Sequence, residues 1–255
     1  GEIRLTVPEA CDALTLEPEL LVLRPGETGR LTPRARVGQE AGIPVAPETL
    51  AWHVAGRGIA TVGLGAFRGL AVGGATRVTA SLGDKQAVAR VALAGVRALY
   101  SMDSLDGIRV TRYPEEGQHK GSLELCRDAS LGATPYARLT YDLAEPAGTR
   151  AVYMRFDRVL GYALTLGFSA RATEGSPWIR VSLRDAAGGR YTLTAVDRLL
   201  PGTQWQPVSV RIGRDMKQPV TLESIYVVET AGATCRGTLD LDAVTVEGLL
   251  PDASE

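Results

Sequence analysis

Lysine is scarce in this chain: Lys85, Lys120 and Lys217 are the only lysines among 28 basic residues. Arginine carries the rest, and a guanidinium group stacks on aromatic rings and forks to carboxylates or hydroxyls in ways an ammonium does not. Histidine occurs only as His53 and His119, so a Ser-His-Asp triad or a His-based metal site has little to draw on. No G-x-S-x-G is present, which removes the nucleophile elbow. Cys11, Cys126 and Cys235 lie far apart and form no C-x-x-C, excluding zinc ribbons and thioredoxin-like exchange. Their odd number leaves at least one thiol free or paired between chains. No apolar run reaches the ~20 residues that span a bilayer. A formal net charge of -1 gives no reason to expect nucleic acid or an anionic membrane surface as a partner. Aromatic residues, at 5%, are few for a strong carbohydrate binder. The chain opens at Gly1 without a visible signal peptide, and is read as a processed or excised piece.

Helical stripes are also missing, and short alternating runs bounded by turn residues recur instead. Examples are Arg77 to Ser81, Val88 to Leu93, Ile179 to Leu183, Tyr191 to Val196, Val208 to Ile212, Ser224 to Val228 and Thr238 to Val246. With 29 Gly and 14 Pro to make turns, this pattern predicts an all-β protein of sandwich or jelly-roll type. A boundary is expected in the short joint Ala94-Gly95-Val96-Arg97, dividing residues 1–97 (core 13–96) from 98–255 (core 98–248). So short a joint suits domains that touch rather than swing freely.

In the first segment, Pro25-Gly26 is a turn pair, and Trp52 and Val54 alternate with His53, which puts Trp52 on the core side. Gly63-Leu64-Gly65-Ala66-Phe67-Arg68-Gly69 superficially matches a dinucleotide fingerprint. No βαβ unit follows it, and a turn between strands is the better reading. Leu23 to Leu31, Ala51-Trp52-His53-Val54, Ile59-Ala60-Thr61-Val62 and Gly74 to Ala80 together resemble the bacterial immunoglobulin-like domains of group 2. That resemblance implies a β-sandwich acting as a spacer or adhesive module.

In the second segment, Leu99 to Asp103, Gly121 to Leu125, Leu139 to Leu143, Trp178 to Gly188, Thr203-Gln204-Trp205 and Leu239 to Val244 resemble galactose-binding-like jelly rolls. More closely, they are similar to the C-terminal region of secreted bacterial phosphodiester glycosidases associated with exopolysaccharide or cell-envelope glycans. The resemblance implies a secreted or cell-surface, non-catalytic accessory region, an upstream catalytic domain in the same polypeptide, and a polysaccharide or cell-envelope glycan as partner. It also implies a structural calcium between the first and last strands, held by Asp103 with Asp240 or Asp242 and backbone carbonyls; oxygen-only ligation suits that hard cation.

Asp185 to Gly189 is a hairpin turn between two alternating runs. In the first run, Trp178, Arg180, Ser182 and Arg184 share one face, and Ile179, Val181 and Leu183 the other. Trp178 with Arg180 and Arg184, joined by Tyr191 from the partner arm if the register allows, is the candidate carbohydrate-binding set: sugar rings stack on aromatic faces and guanidinium groups fork to hydroxyls. Alternatively, Trp178 caps the sheet edge or the domain interface and the arginines are solvated. Cys126 and Cys235 are either free or a disulfide, which a secreted context permits. Two further functions stay open: a purely structural brace for the catalytic domain, and an independent glycoside-cleaving enzyme, since 29 acidic residues offer many carboxylate pairs.

Overall fold

The computed structural model describes residues 11–70, 74–117, 119–127, 134–143, 148–230 and 234–249. The ends of both expected domains, 1–10 and 250–255, lie outside the described residues. The chain divides into two compact units, Gly1–Gly95 with Leu249–Glu255, and Val96–Gly248. Among the described residues the regular structure is β-strand plus one 3-10 turn, Pro47–Thr49, as the short alternating runs predict. The expected joint at Ala94 to Arg97 is strand, not linker. It lies inside one long strand, Lys85–Tyr100, because no proline or polar run interrupts the extended chain there.

In the first unit, β1 (Ala13–Glu17), β4 (Thr32–Val37) and β5 (Glu40–Pro44) form one antiparallel sheet. β2 (Leu20–Leu23) runs parallel to β10 (Lys85–Tyr100), which continues through β9 (Thr76–Leu82) to β6 (Ala51–Val54). β3 (Thr28–Arg30), β8 (Ala66–Gly69) and β7 (Ile59–Gly63) make a third small sheet. Leu23, Leu31, Phe67, Val78, Ala80 and Val91 are fully buried in a shared core. Trp52 packs against this core, donates its indole N–H to the Pro47 carbonyl at 2.9 Å, and meets Phe67 edge-on; His53 faces solvent. The glycine run is the β7–β8 hairpin, with Gly65 at φ 69°, a conformation that favours glycine.

The second unit is a β-sandwich of two antiparallel sheets. One has the order β11 (Arg109–Tyr113), β14 (Arg150–Gly161), β19 (Val220–Glu229), β16 (Trp178–Arg184), β17 (Arg190–Val196). The other runs β12 (Lys120–Arg127), β13 (Pro135–Leu143), β20 (Cys235–Leu249), β15 (Ala163–Ala172), β18 (Gln206–Arg211). The chain crosses repeatedly from sheet to sheet, as jelly rolls do. Between the sheets, alternate residues pack into one cluster: Val152, Met154, Ile179, Val181, Ile225 and Val227 from the first, and Ala137, Leu139, Tyr141, Leu166, Leu239 and Leu241 from the second. Period-two alternation places the intervening residues on the outer faces.

This register also decides the cysteine alternatives. Cys126 lies opposite Tyr136 and Cys235 opposite Leu143, so their partners are seven residues apart on β13. That is roughly 23 Å along a strand, far beyond the Cα separation a disulfide tolerates. Both thiols are free, and Cys235 Sγ lies 3.7 Å from the Tyr141 hydroxyl.

Candidate functional site

Trp178, Arg180, Ser182 and Arg184 lie together on the outer face of β16, as alternation predicts, while Ile179, Val181 and Leu183 fill the core. Tyr191 does not join them. The turn closes with Arg184 opposite Arg190, so Tyr191 stands opposite Leu183 and packs against the core. Its hydroxyl donates to Asp185 Oδ2 at 3.1 Å. Asp185 also accepts the N–H groups of Gly189 (2.7 Å), Ala187 (3.0 Å) and Lys217 (3.2 Å). Burial pushes its pKa up, and these donors outweigh burial and hold it below the usual carboxylate range. Asp185 and Tyr191 therefore brace the hairpin rather than meet a ligand.

Cross-strand pairing extends the Trp178 face over the whole sheet. One row reads Thr111, Tyr153, Tyr226, Arg180, Thr194 across the five strands. The neighbouring row on one side is Tyr113, Ala151, Val228, Trp178, and on the other Arg109, Arg155, Ser224, Ser182, Thr192. Tyr226 forms the floor, with its ring centroid 4.5 Å from that of Tyr153 and a tilt of 32°. Burial, then the neighbouring Tyr226, pushes the Tyr153 phenol up. Above this floor, Arg155 lies 4.4 Å over the Tyr153 ring and donates its Nε–H to Thr111 Oγ1 at 3.1 Å. Arg180 lies 3.7 Å over the Trp178 ring. Tyr113, 56% exposed, opens the edge of the patch.

Trp178 is thus not the bare platform the sequence suggests. Its indole is half-buried against Ala151, Tyr226 and Val228, and the guanidinium of Arg180 covers one side. Three polar atoms in this patch, Trp178 Nε1, Arg180 Nε and Ser224 Oγ, are buried without a hydrogen-bond partner among the described residues, a condition that proteins seldom leave unexplained. Arg184 sits at the far end of β16, six residues from Trp178 and so roughly 20 Å along the strand. There its Nε is 3.1 Å from Glu223 Oε1, while Arg190 approaches the same oxygen at 3.6 Å. Tyr153, Tyr226, Tyr113 and Arg155 were not identified from sequence. The alternation Ala151, Tyr153, Arg155 was their available signal, but nothing local says that β14 and β19 lie between Trp178 and the sheet edge.

On the outer face of the second sheet, Asp240 is fully buried. Arg138 grips both its oxygens, Nε to Oδ1 at 2.7 Å and Nη2 to Oδ2 at 3.0 Å. Arg171 donates twice to Oδ2, at 2.9 and 2.6 Å. Arg171 also lies 5.2 Å from the Tyr136 ring and 4.8 Å from the Trp205 ring. Both carboxylate oxygens of Asp240 are committed, which removes it from the expected calcium ligands. Asp242 remains, with Oδ1 accepting the Ala243 N–H at 2.6 Å. Burial pushes the Asp242 pKa up; the Ala243 N–H opposes this and the charge of Asp103 adds to it. Among the described residues no group of three or more His, Cys, Asp or Glu is placed to hold a metal, and any further oxygens for calcium would come from backbone carbonyls and solvent.

Elsewhere in the second unit, a cavity of about 520 Å³ is lined by Arg112, Lys120, Gly121, Ser122, Thr140, Tyr141 and Asp142. His119 is buried at the start of β12, where its carbonyl accepts from Arg112 Nη1 at 3.3 Å. His53 belongs to the other unit.

No family model matches the chain, and no curated protein does. Solved structures do show similarity. The family 11 carbohydrate-binding module of the cellulase Lic26A-Cel5E of Clostridium thermocellum is 12% identical, over 62% of this chain and 98% of that one, at a TM-score of 0.39. A structure described as the basis of promiscuous specificity in carbohydrate-binding modules of the β-sandwich superfamily is 10% identical, over 92% and 98%, at 0.43. The TmCBM61 module in complex with β-1,4-galactotriose is 9% identical, over 60% and 99%, at 0.39. At these scores the likenesses carry no argument about function, which has to come from the sheet face itself.

Proposed function

We propose that this chain is a non-catalytic carbohydrate-binding region of a secreted or cell-surface glycan-processing protein. Its second unit docks a polysaccharide on the outer face of the β11-β14-β19-β16-β17 sheet. The observation that carries this reading is the gathering of Tyr113, Tyr153 and Trp178 with Arg155 and Arg180 on one face, ringed by the hydroxyls of Thr111, Ser182, Thr192 and Thr194. Aromatic surface beside fixed donors is what a sugar ring needs, apolar on its face and polar at its rim. The first unit is read as the immunoglobulin-like spacer and an upstream catalytic domain as the partner that the region serves. An open sheet face buries little of a ligand, so dissociation constants in the micromolar to millimolar range, about -8 to -4 kcal/mol, are expected.

The test is affinity electrophoresis and calorimetry against a panel of plant and bacterial polysaccharides. Tyr113→Ala and Trp178→Ala are each expected to weaken binding about tenfold. Tyr113, being exposed, leaves the melting temperature within about 2 °C of the parent. A protein that no polysaccharide retards would favour the purely structural brace, for which the covering of Trp178 by Arg180 is the supporting observation.

A calcium ion between Asp103 and Asp242 is the lesser part of the same proposal. The support is that Asp242 stands near enough to Asp103 for that charge to add, after burial, to its raised pKa; a bound divalent cation would offset both. Calcium at 100 times its dissociation constant would add about 2.7 kcal/mol of stability, and Asp242→Asn would abolish the gain. Equal melting temperatures in calcium and in chelator would remove the ion from the reading.

A further inference from the structure

Resting on the proposed glycan-binding face, we infer that its ligand is an anionic polysaccharide, one bearing carboxylate groups, rather than a neutral one. The chain as a whole has a formal net charge of -1, yet this one sheet face is strongly basic. Five arginines point from it: Arg109, Arg155, Arg180, Arg184 and Arg190. The carboxylates that answer them are Asp157, 2.7 Å from Arg109, and Glu223, which Arg184 and Arg190 share. Arg155 and Arg180 have no carboxylate partner among the described residues, and these two lie over the aromatic rings of the proposed site.

The placement runs against sheet stability. Arg109 stands directly opposite Arg155, and Arg184 directly opposite Arg190. Like charges directly opposite on neighbouring strands repel; Glu223 bridges the second pair and Asp157 answers Arg109, which leaves Arg155 facing a like charge with no carboxylate of its own. A guanidinium stacked on an aromatic ring keeps its outward N–H edge for a planar acceptor, and carboxylate is the acceptor its fork fits best. Arg155 and Arg180 are separated by β19 and lie in neighbouring rows, so their Cα positions are roughly 12 Å apart on the diagonal. That spacing suits successive charges along a polymer better than one small anion held between them.

The experiment uses the whole chain with sodium polygalacturonate and alginate as anionic probes, neutral β-1,4-galactan and mixed-linkage glucan as neutral ones, and inorganic polyphosphate as a polyanion without sugar rings. Binding is measured in 20 and 300 mM sodium chloride. The expected result is a uronate polymer bound at least tenfold more tightly than either neutral glycan, with most of that preference lost at high salt. Arg155→Gln and Arg180→Gln should each weaken uronate binding about tenfold. Tyr113→Ala should weaken both uronate and any residual neutral binding. Neutral and anionic glycans bound equally, without salt dependence, would overturn this inference and leave the glycan-binding face standing. Polyphosphate bound as tightly as polygalacturonate would overturn it too, since a charge sink needs no saccharide. No binding of any glycan would overturn both readings. The wild-type salt series decides the matter even if an arginine variant fails to fold.

Discussion

Replacing Asp240 by alanine is expected to destabilise the second unit by about 3–5 kcal/mol, because it strands buried guanidinium charge without a counter-ion. Asp240 is wholly buried, the Arg171 side chain is 7% exposed and that of Arg138 26%. Tyr136 and Trp205 wall in the same cluster, with ring centroids 5.6 Å apart, so water cannot easily replace the lost carboxylate. For a unit of this size the melting temperature should fall by roughly 6–20 °C. Scanning calorimetry of Asp240→Ala beside Asp242→Ala in chelator checks this. Asp242 has no guanidinium clamp, and its removal should change stability by about 1 kcal/mol or less. Equal losses from the two variants would show that the Arg138–Asp240–Arg171 cluster is not what holds β13, β20 and β15 together. Replacing all three members by well-packed apolar residues is a different experiment, and such swaps are often neutral.

Acid should unfold the protein partly through Glu229. This carboxylate ends β19 on the core side, 1% exposed, and Arg198 binds both its oxygens, Nη2 to Oε1 at 2.8 Å and Nη1 to Oε2. The Arg198 hydrogen bonds pull its pKa down, against burial; the Thr230 N–H and the charge of buried Arg150 pull the same way. A carboxyl whose folded pKa lies below its unfolded value stabilises fully above the unfolded value, ordinarily about 4.5. That stabilisation disappears as the pH falls through the depressed folded value. Glu229→Gln is therefore expected to lose about 2–3 kcal/mol at pH 7. This is less than for Asp240, because the Arg198 side chain keeps 44% of its surface in solvent. The same variant should flatten the dependence of stability on pH below about 4.5. Urea melts of parent and variant from pH 3 to 7 measure both effects. Parallel curves over that range would place the acid sensitivity in other carboxylates.

These two buried carboxylates differ in how far the sequence foretold them. Asp240 drew attention as an acidic residue at the last strand, and its parity with Asp242 is correct. Its role was misread, because Arg138 and Arg171 come from positions 102 and 69 residues away. No local pattern says which strands will flank β20. Glu229 gave no signal at all, since it follows an apolar run and reads as a strand end.

The candidate face shows the same division. That Trp178, Arg180, Ser182 and Arg184 share a side follows from period-two alternation in any strand. That Tyr191 lies elsewhere depends on hairpin register, and a one-residue slip sends a side chain to the opposite face. The turn Asp185 to Gly189, with Asp185 accepting three backbone N–H groups, sets that register. Tyr153 and Tyr226 reach the site through strand order alone: β14 and β19 are inserted between β11 and β16 by crossings from the other sheet.

The amino-acid sequence by itself determined the all-β class, the alternation that puts Trp178, Arg180, Ser182 and Arg184 on one side of their strand, and the lack of C-x-x-C and G-x-S-x-G motifs. Those properties depend on neighbours within a few residues, where backbone geometry dictates the outcome. Tertiary structure alone decided that Asp240 is gripped by two arginines, that Cys126 and Cys235 are far apart, and that Tyr113, Tyr153, Tyr226 and Trp178 form one surface. Each of these joins residues from strands distant in the chain, and the pairing of such strands depends on which apolar faces bury one another best across the whole sandwich rather than on any local preference.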